Sequence, residues 1–115
     1  MTNPPTFTGT IMTFSSPREG AEDSYNQWYQ NVHLPQVCDI PGVVAAQRFR
    51  LADEDANTSD GPLYLAVYEL DADPQGVLAE MGARARNGTL ELSDSIDQST
   101  ISVRVWHSHG ARVVG

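Results

Sequence analysis

Apolar positions recur along the chain in blocks whose spacing switches between two and three-to-four residues, and the blocks predict six elements. "FTGTIMTF" (7–14) is rich in Thr and apolar residues and stops at the turn cluster "SSPREG", which predicts a strand. In "AEDSYNQWYQNVHLPQVCDI", Tyr25, Trp28, Tyr29, Val32 and Gln36 fall at helical spacing, with Glu22, Asp23, Asn26, Gln27 and Gln30 on the far side. Glu22 and Asp23 sit where negative charge suits a helix N-terminus. Pro35 lacks an N–H and its ring clashes with the carbonyl four residues back, so the helix is expected to break or kink near residues 31–34. A short turn can restart with Pro35 at its first position, and "IPG" (40–42) ends the segment.

The rest of the chain reads in the same way. "VVAAQRFRLA" (43–52) and "LYLAVYEL" (63–70) are strands, separated by "DEDANTSDGP" (53–62), an acidic loop expected to be the most mobile part. "DADPQGVLAEMGARARNG" (71–88) is a helix with an Asp cap before Pro74 and a stop at Asn87-Gly88. "TLELSDSIDQS" (89–99) is polar and ambiguous, and "TISVRVWHSHGARVV" (100–114) is the last strand. The order β-α-β-β-α-β is that of an α+β, ferredoxin-like protomer: one antiparallel sheet with two helices on one face. No repeat or second domain is visible, so residues 1–115 are read as one domain.

The strand faces add an expectation about assembly. Leu63, Leu65 and Val67 point one way in the third strand, and Tyr64, Ala66, Tyr68 and Leu70 the other. The second strand sets Val43, Ala45 and Phe49 against Val44 and Ala46. Both faces are apolar, and helices cover only one. A second copy packed sheet to sheet is the simplest cover, which predicts a homodimer.

Composition removes several functions. The net charge is −8, with seven Arg and no Lys, so nucleic acid and anionic membranes are poor partners. Without Lys no Schiff base and no P-loop can be built. No apolar run approaches the roughly 18 residues of a membrane span, and "MTNPPTF" has no signal-peptide pattern. Cys38 is the only cysteine, which excludes an internal disulfide and fits a cytoplasmic location. It is read as a small buried apolar residue, with a thiolate activated by His33 as a minor option. G-x-S-x-G, H-E-x-x-H, CxxC and G-x-G-x-x-G are all absent, so nothing calls for a nucleotide, a flavin or a serine triad.

The segment "YNQWYQNVHLPQVCDIPGVVAAQRFRL" carries Trp28, Tyr29, His33 and Pro35, then Pro41-Gly42, then Arg48, Phe49 and Arg50. This pattern, W-Y-x-x-x-H-x-P before a P-G turn into an R-x-F-R-like strand, resembles the EthD-like and REDY-like small proteins of the dimeric α+β barrel superfamily. The resemblance covers residues 7 to 70 well and the C-terminal third loosely. It implies a ferredoxin-like protomer, a dimeric α+β barrel and a pocket between helices and sheet. Relatives in that superfamily include cofactor-free monooxygenases, polyketide cyclases, lactone isomerases and haem-degrading enzymes, so it implies no single reaction.

His33 is the leading candidate for chemistry. Imidazole titrates near neutrality and can serve as general base or acid at a pocket wall. The alternative is structural: the ring donates to a carbonyl freed by Pro35. The resemblance, where an acid–base histidine commonly lines the pocket, favours the pocket role. Tyr25, Trp28 and Tyr29 are first of all core residues, but a buried phenol needs a partner, so at least one hydroxyl should enter the pocket. Tyr64 and Tyr68 share a strand face, in the pocket or at the dimer interface. Arg48 either pairs with acids at a dimer rim or clamps a carboxylate or enolate. His107 and His109 sit two apart at a strand end, as metal ligands lacking a guaranteed third, as a substrate-orienting group, or as solvent-exposed residues.

These observations predict a small cofactor-independent enzyme for an apolar cyclic or aromatic oxygenated molecule. His33, Tyr25 and Tyr29 would be catalytic; Trp28, His107, Tyr64, Tyr68 and Arg48 would bind substrate; no metal is assigned. Cyclase, isomerase and dehydratase chemistry all fit, and cofactor-free oxygenation remains open. The other class is a non-catalytic small-molecule-binding or accessory protein of the same fold.

Overall fold

The computed structural model of the chain describes residues 7–53 and 61–115. Within them the order is β1 (Gly9–Pro17), α1 (Glu22–Trp28), a π-helical turn (Tyr29–His33), α2 (Leu34–Cys38), β2 (Val43–Arg50), β3 (Tyr64–Leu70), α3 (Pro74–Asn87) and β4 (Ile96–His107). The strands form one antiparallel sheet in the order β2-β3-β1-β4. This is the ferredoxin-like α+β arrangement that the element order predicts. The lead before Phe7 and most of the acidic loop, residues 54–60, lie outside the described residues.

Two strand ends differ from expectation. β1 continues through "SSP", and β4 starts at Ile96 inside the polar stretch that had no clear pattern, then stops at His107. The two extensions pair with each other: Ser16 lies opposite Asp97 and Pro17 opposite Ile96, beyond a register shift between Phe14 and Ser16. Polar side chains replace ladder bonds there. Ser16 N–H donates to Thr100 Oγ1 at 2.8 Å, and Leu63 N–H donates to Ser16 Oγ at 2.9 Å. A periodicity search misses such a strand because its hydrogen bonds come from Ser and Thr rather than from an apolar repeat.

The helical segment is disturbed near the expected place and restarts with Pro35 in its first turn, but it does not break. No break occurs at 31–34: His33 and Leu34 both keep right-handed helical dihedrals. Instead the backbone widens by one residue, and Leu34 N–H reaches back five residues to the Tyr29 carbonyl. Pro35 then falls in the first turn of α2, where a missing N–H costs little. The buried residues run Tyr25, Tyr29, Leu34, Val37, a step of five across the π turn, rather than through Val32 and Gln36.

The core lies between this helical segment and one sheet face. Ile11, Ala66, Tyr68 and Leu70 from β1 and β3 meet Tyr25, Tyr29, Leu34 and Val37. β2 reaches that face by a bulge between Val43 and Ala45. Val43 faces the helices opposite Leu70; after the extra residue, Ala46 and Arg48 do so opposite Tyr68 and Ala66. Val43 therefore parts from Ala45 and Phe49, with which simple alternation groups it. The opposite face is uncovered: Phe49, Leu65 and Phe14 stand in one cross-strand row, with Phe49 46% exposed, and Trp106 is 54% exposed nearer β4.

The turn between α2 and β2 needs glycine. Gly42 has φ of 100°, and a Cβ there would sit 2.7 Å from Ala72 Cβ and 3.0 Å from Val77 Cγ2. Gly88, after α3, has φ of 83° but open space around it. The expected outcome is that Gly88→Ala costs about 1 kcal/mol from the backbone alone, while Gly42→Ala costs more because the clash adds to the strain. Urea denaturation of the two variants reads the difference directly.

Candidate functional site

Three tyrosines and one arginine meet between the helical segment and the sheet. Tyr25 and Tyr29, one turn apart, pack edge to face with ring centroids 5.4 Å apart. Tyr64 from β3 lies 5.2 Å from Tyr25. Arg48, aimed inward by the β2 bulge, places its Cζ 4.6 Å from the Tyr29 ring, 5.2 Å from Tyr64 and 5.4 Å from Tyr25. Such cation–π contacts hold a half-buried guanidinium against aromatic faces.

Hydrogen bonds orient the group. Tyr25 Oη and Ser15 Oγ are 2.6 Å apart, both buried. Arg48 donates to Asn26 Oδ1 at 2.8 Å, and Asn26 Nδ2 reaches Tyr64 Oη at 3.5 Å. Tyr64 donates to the Glu22 carboxylate. Sequence reasoning missed Ser15, and placed Glu22 and Asn26 on the solvent side. Ser15 was legible in principle, because it continues the alternation of Ile11 and Thr13 on one face. Glu22 and Asn26 are four residues apart, so they share the flank of α1 that faces Tyr64 and Arg48.

His33 stands on the other side of Tyr29. Its ring stacks on Trp28 at 4.7 Å with 29° between planes, and meets Tyr29 edge-on at 5.1 Å. Stacking between residues five apart is a product of the π turn; in an α-helix they would point about 140° apart. The Trp28 indole N–H donates to the Glu91 carbonyl at 3.0 Å, which fixes the ring His33 leans on. His33 makes no hydrogen bond to a carbonyl freed by Pro35; its Nδ1 is buried without a partner. Burial pushes its pKa down to about 4, so the ring is neutral at neutral pH rather than poised to titrate there.

A second buried atom is also without a partner. Tyr68 is fully buried on β3, and its hydroxyl is near enough to Tyr29 to affect its ionisation, yet the two do not meet the geometry of a hydrogen bond. Burial, and then Tyr29, push the Tyr68 phenol well above its ordinary range. Tyr29 is pushed up to about 12 by burial and then by Tyr25, and Tyr25 is raised by burial. All three phenols are therefore neutral donors at working pH.

The structure thus brings together Tyr25, Trp28, Tyr29, His33, Arg48, Tyr64 and Tyr68. His107 does not join them: it is exposed at the end of β4, opposite Gly9. His109 lies beyond the strand. Among the described residues no three His, Cys, Asp or Glu side chains converge on a metal-sized point. Cys38 is exposed, not buried as expected, and partial burial raises its thiol pKa, so it is not an activated nucleophile. No described helix is long and apolar enough to cross a membrane.

With this geometry in view, the comparisons concern mainly the fold. No protein-family model matches the chain, and no curated protein matches it. Among solved structures, it superposes on the crystal structure of an ethyl tert-butyl ether D (EthD) family protein from Bacillus halodurans C-125, with a TM-score of 0.58. The fold is EthD-like. The alignment covers 94% of this chain and all of that one, at 13% identity, which speaks for shared architecture and not for shared chemistry.

The His33 shift makes a sign-defined prediction. Its pKa falls from the ordinary 6.5 in the unfolded chain to about 4 when folded, so the unfolded state binds the extra proton. Its contribution is complete above pH 6.5 and is lost as pH falls toward 4, by up to about 3 kcal/mol. Unfolding free energies measured across that window should show this slope, and His33→Phe should flatten it.

Proposed function

We propose that this cluster is the reaction site of a small enzyme that needs no cofactor and acts on an apolar, cyclic or aromatic oxygenated molecule by acid–base chemistry. Proton transfers of the cyclase, isomerase or dehydratase kind suit it best, with cofactor-free oxygenation of an activated phenol in the same class. The observation that carries this reading is the pair of buried, unpartnered polar atoms, Tyr68 Oη and His33 Nδ1, flanking Tyr29. Each unpaired atom costs about 1–3 kcal/mol in the free protein, a cost that a bound ligand recovers.

In this reading Tyr68 and Tyr29 donate hydrogen bonds to a substrate carbonyl and steady the oxygen as charge builds on it. Tyr25, tied to Ser15, holds Tyr29 in place. His33 takes the proton that leaves carbon. A base with a pKa of about 4 is weak in the empty site, but negative charge developing on the substrate raises its proton affinity. Trp28 forms the apolar wall. The same low pKa favours the second reading, a non-catalytic binding protein in which His33 only accepts a hydrogen bond.

An assay common to these reactions separates the two. Incorporation of deuterium at the α-carbon of a fused-ring ketone such as tetralone, in heavy water, should exceed the uncatalysed rate by about 100-fold or more. His33→Ala should abolish the excess while ketone binding, read by Trp28 fluorescence, persists. Binding without exchange supports the binding-protein reading, and no binding sinks both. Tyr68→Phe should raise stability by about 1 kcal/mol and weaken ketone binding about tenfold, the reverse of what a structural hydroxyl does.

We further infer a homodimer closed sheet to sheet as a dimeric α+β barrel. The support is the uncovered row Phe14, Leu65 and Phe49, together with Trp106. Phe49→Glu should convert a dimer into a monomer in sedimentation equilibrium without loss of secondary structure.

A further inference from the structure

Among the described residues Arg48 is a cation with no anion of its own. The chain carries 15 acidic side chains and only seven arginines, yet Arg48 makes no ion pair with any described residue. It donates to the neutral amide of Asn26, which aims the guanidinium without cancelling its charge. Glu22, one turn before Asn26, is engaged by Tyr64 instead. Arg48 carries five N–H donors, and Asn26 accepts from one nitrogen of the fork. Its neighbour Arg50 pairs with Asp53 and touches the Tyr64 edge of the cluster, whereas Arg48 lies against three of its rings.

The charge is placed where an oxygen would need it. Three tyrosine rings surround the guanidinium, and against the larger effect of burial its field pulls the pKa values of Tyr25, Tyr29 and Tyr68 down, which favours their anions. The other groups facing this space are the Tyr64 phenol, the Glu22 carboxylate beyond it, Arg50 at 5.9 Å from the Tyr64 ring, and neutral His33 across Tyr29. Among them Arg48 is the cation against Tyr25 and Tyr29, while Arg50 stands by Tyr64 and is paired with Asp53. A base as weak as His33 cannot make an anion unaided, so the stabilisation has to come from the oxygen side.

We propose that the site selects an oxyanion conjugated to a ring, a phenolate or the enolate of a cyclic ketone, and that Arg48 is the group that binds the negative oxygen. In the enolate case the C–H bond breaks, its proton passes to His33, and the electron pair moves onto the carbonyl oxygen beside Arg48. In the phenolate case the ligand arrives already ionised. The proposal rests on the acid–base site described above and names its substrate class.

Titration of bound 4-nitrophenol, followed by the absorbance of its anion, tests this. The full-length protein should bind it with an ionisation shifted at least one pH unit below that of the free phenol, and should bind the anion at least tenfold tighter than non-ionisable 4-nitroanisole. Arg48→Met should remove both the shift and the preference, and Arg48→Lys should keep part of each. Asn26→Asp guards against misfolding of Arg48→Met: it is nearly isosteric, gives Arg48 an internal counterion, and should also remove the preference. An unshifted or raised ionisation in the wild type, or a shift that survives both Arg48→Met and Asn26→Asp, overturns the proposal and leaves the site intact. Tighter binding of benzoate than of nitrophenolate overturns it in favour of a carboxylate ligand. Failure to bind both the phenol and the anisole removes the underlying site reading as well.

Discussion

The helical segment carries its proline without breaking, and a turn one residue wider stands just before it. Leu34 N–H closes on the Tyr29 carbonyl five residues back, and the helix passes Pro35 without interruption. The extra residue turns everything after it. Leu34 and Val37 take up the core positions, and His33 swings beside Trp28 instead of over the sheet. Had the helix simply ended, Tyr25 and Tyr29 would remain, but no histidine would be held between two aromatic rings.

A second one-residue insertion works on the other side of the site. The bulge near Val44 reverses the alternation of β2, so Arg48 faces the tyrosines and Phe49 the open sheet. Without it the guanidinium would lie on the uncovered face among Phe14, Leu65 and Val67. Helix and strand thus solve one problem in two ways: each adds a residue to redirect the side chains that follow. Between these offsets lies a regular core of Ile11, Ala66, Tyr68 and Leu70, which keeps the strict period of two and supplies the rigid floor.

The same contrast explains what the sequence made legible. The order of elements, the α3 start at Pro74 and its stop before Gly88 follow from local signals, and the structure places them there. The aromatic and basic members of the cluster were also recognisable, because Tyr25, Tyr29, His33, Arg48, Tyr64 and Tyr68 are residue types that need partners when buried. Their arrangement was not. A π turn and a bulge each shift the period by one, and a repeat-based reading carries the wrong face forward from that point. Ser15 and Asn26 escaped for another reason: small polar residues read as turn or solvent face unless their partner is known. The weak base strength of His33 was equally hidden, since it comes from burial by Trp28, Tyr29 and the surrounding core rather than from any neighbour in sequence.

The π turn has a bearing on ancestry. A π turn is a single residue accommodated within a helix, so it can enter or leave a gene as one codon without unravelling the fold. Removing one residue between Tyr29 and His33 would return the segment to α-helical register and leave the histidine four residues after Trp28, still on the same face. Alignments of this chain with proteins of the same architecture should therefore tolerate a one-residue gap inside the helix while the faces on either side of it are kept.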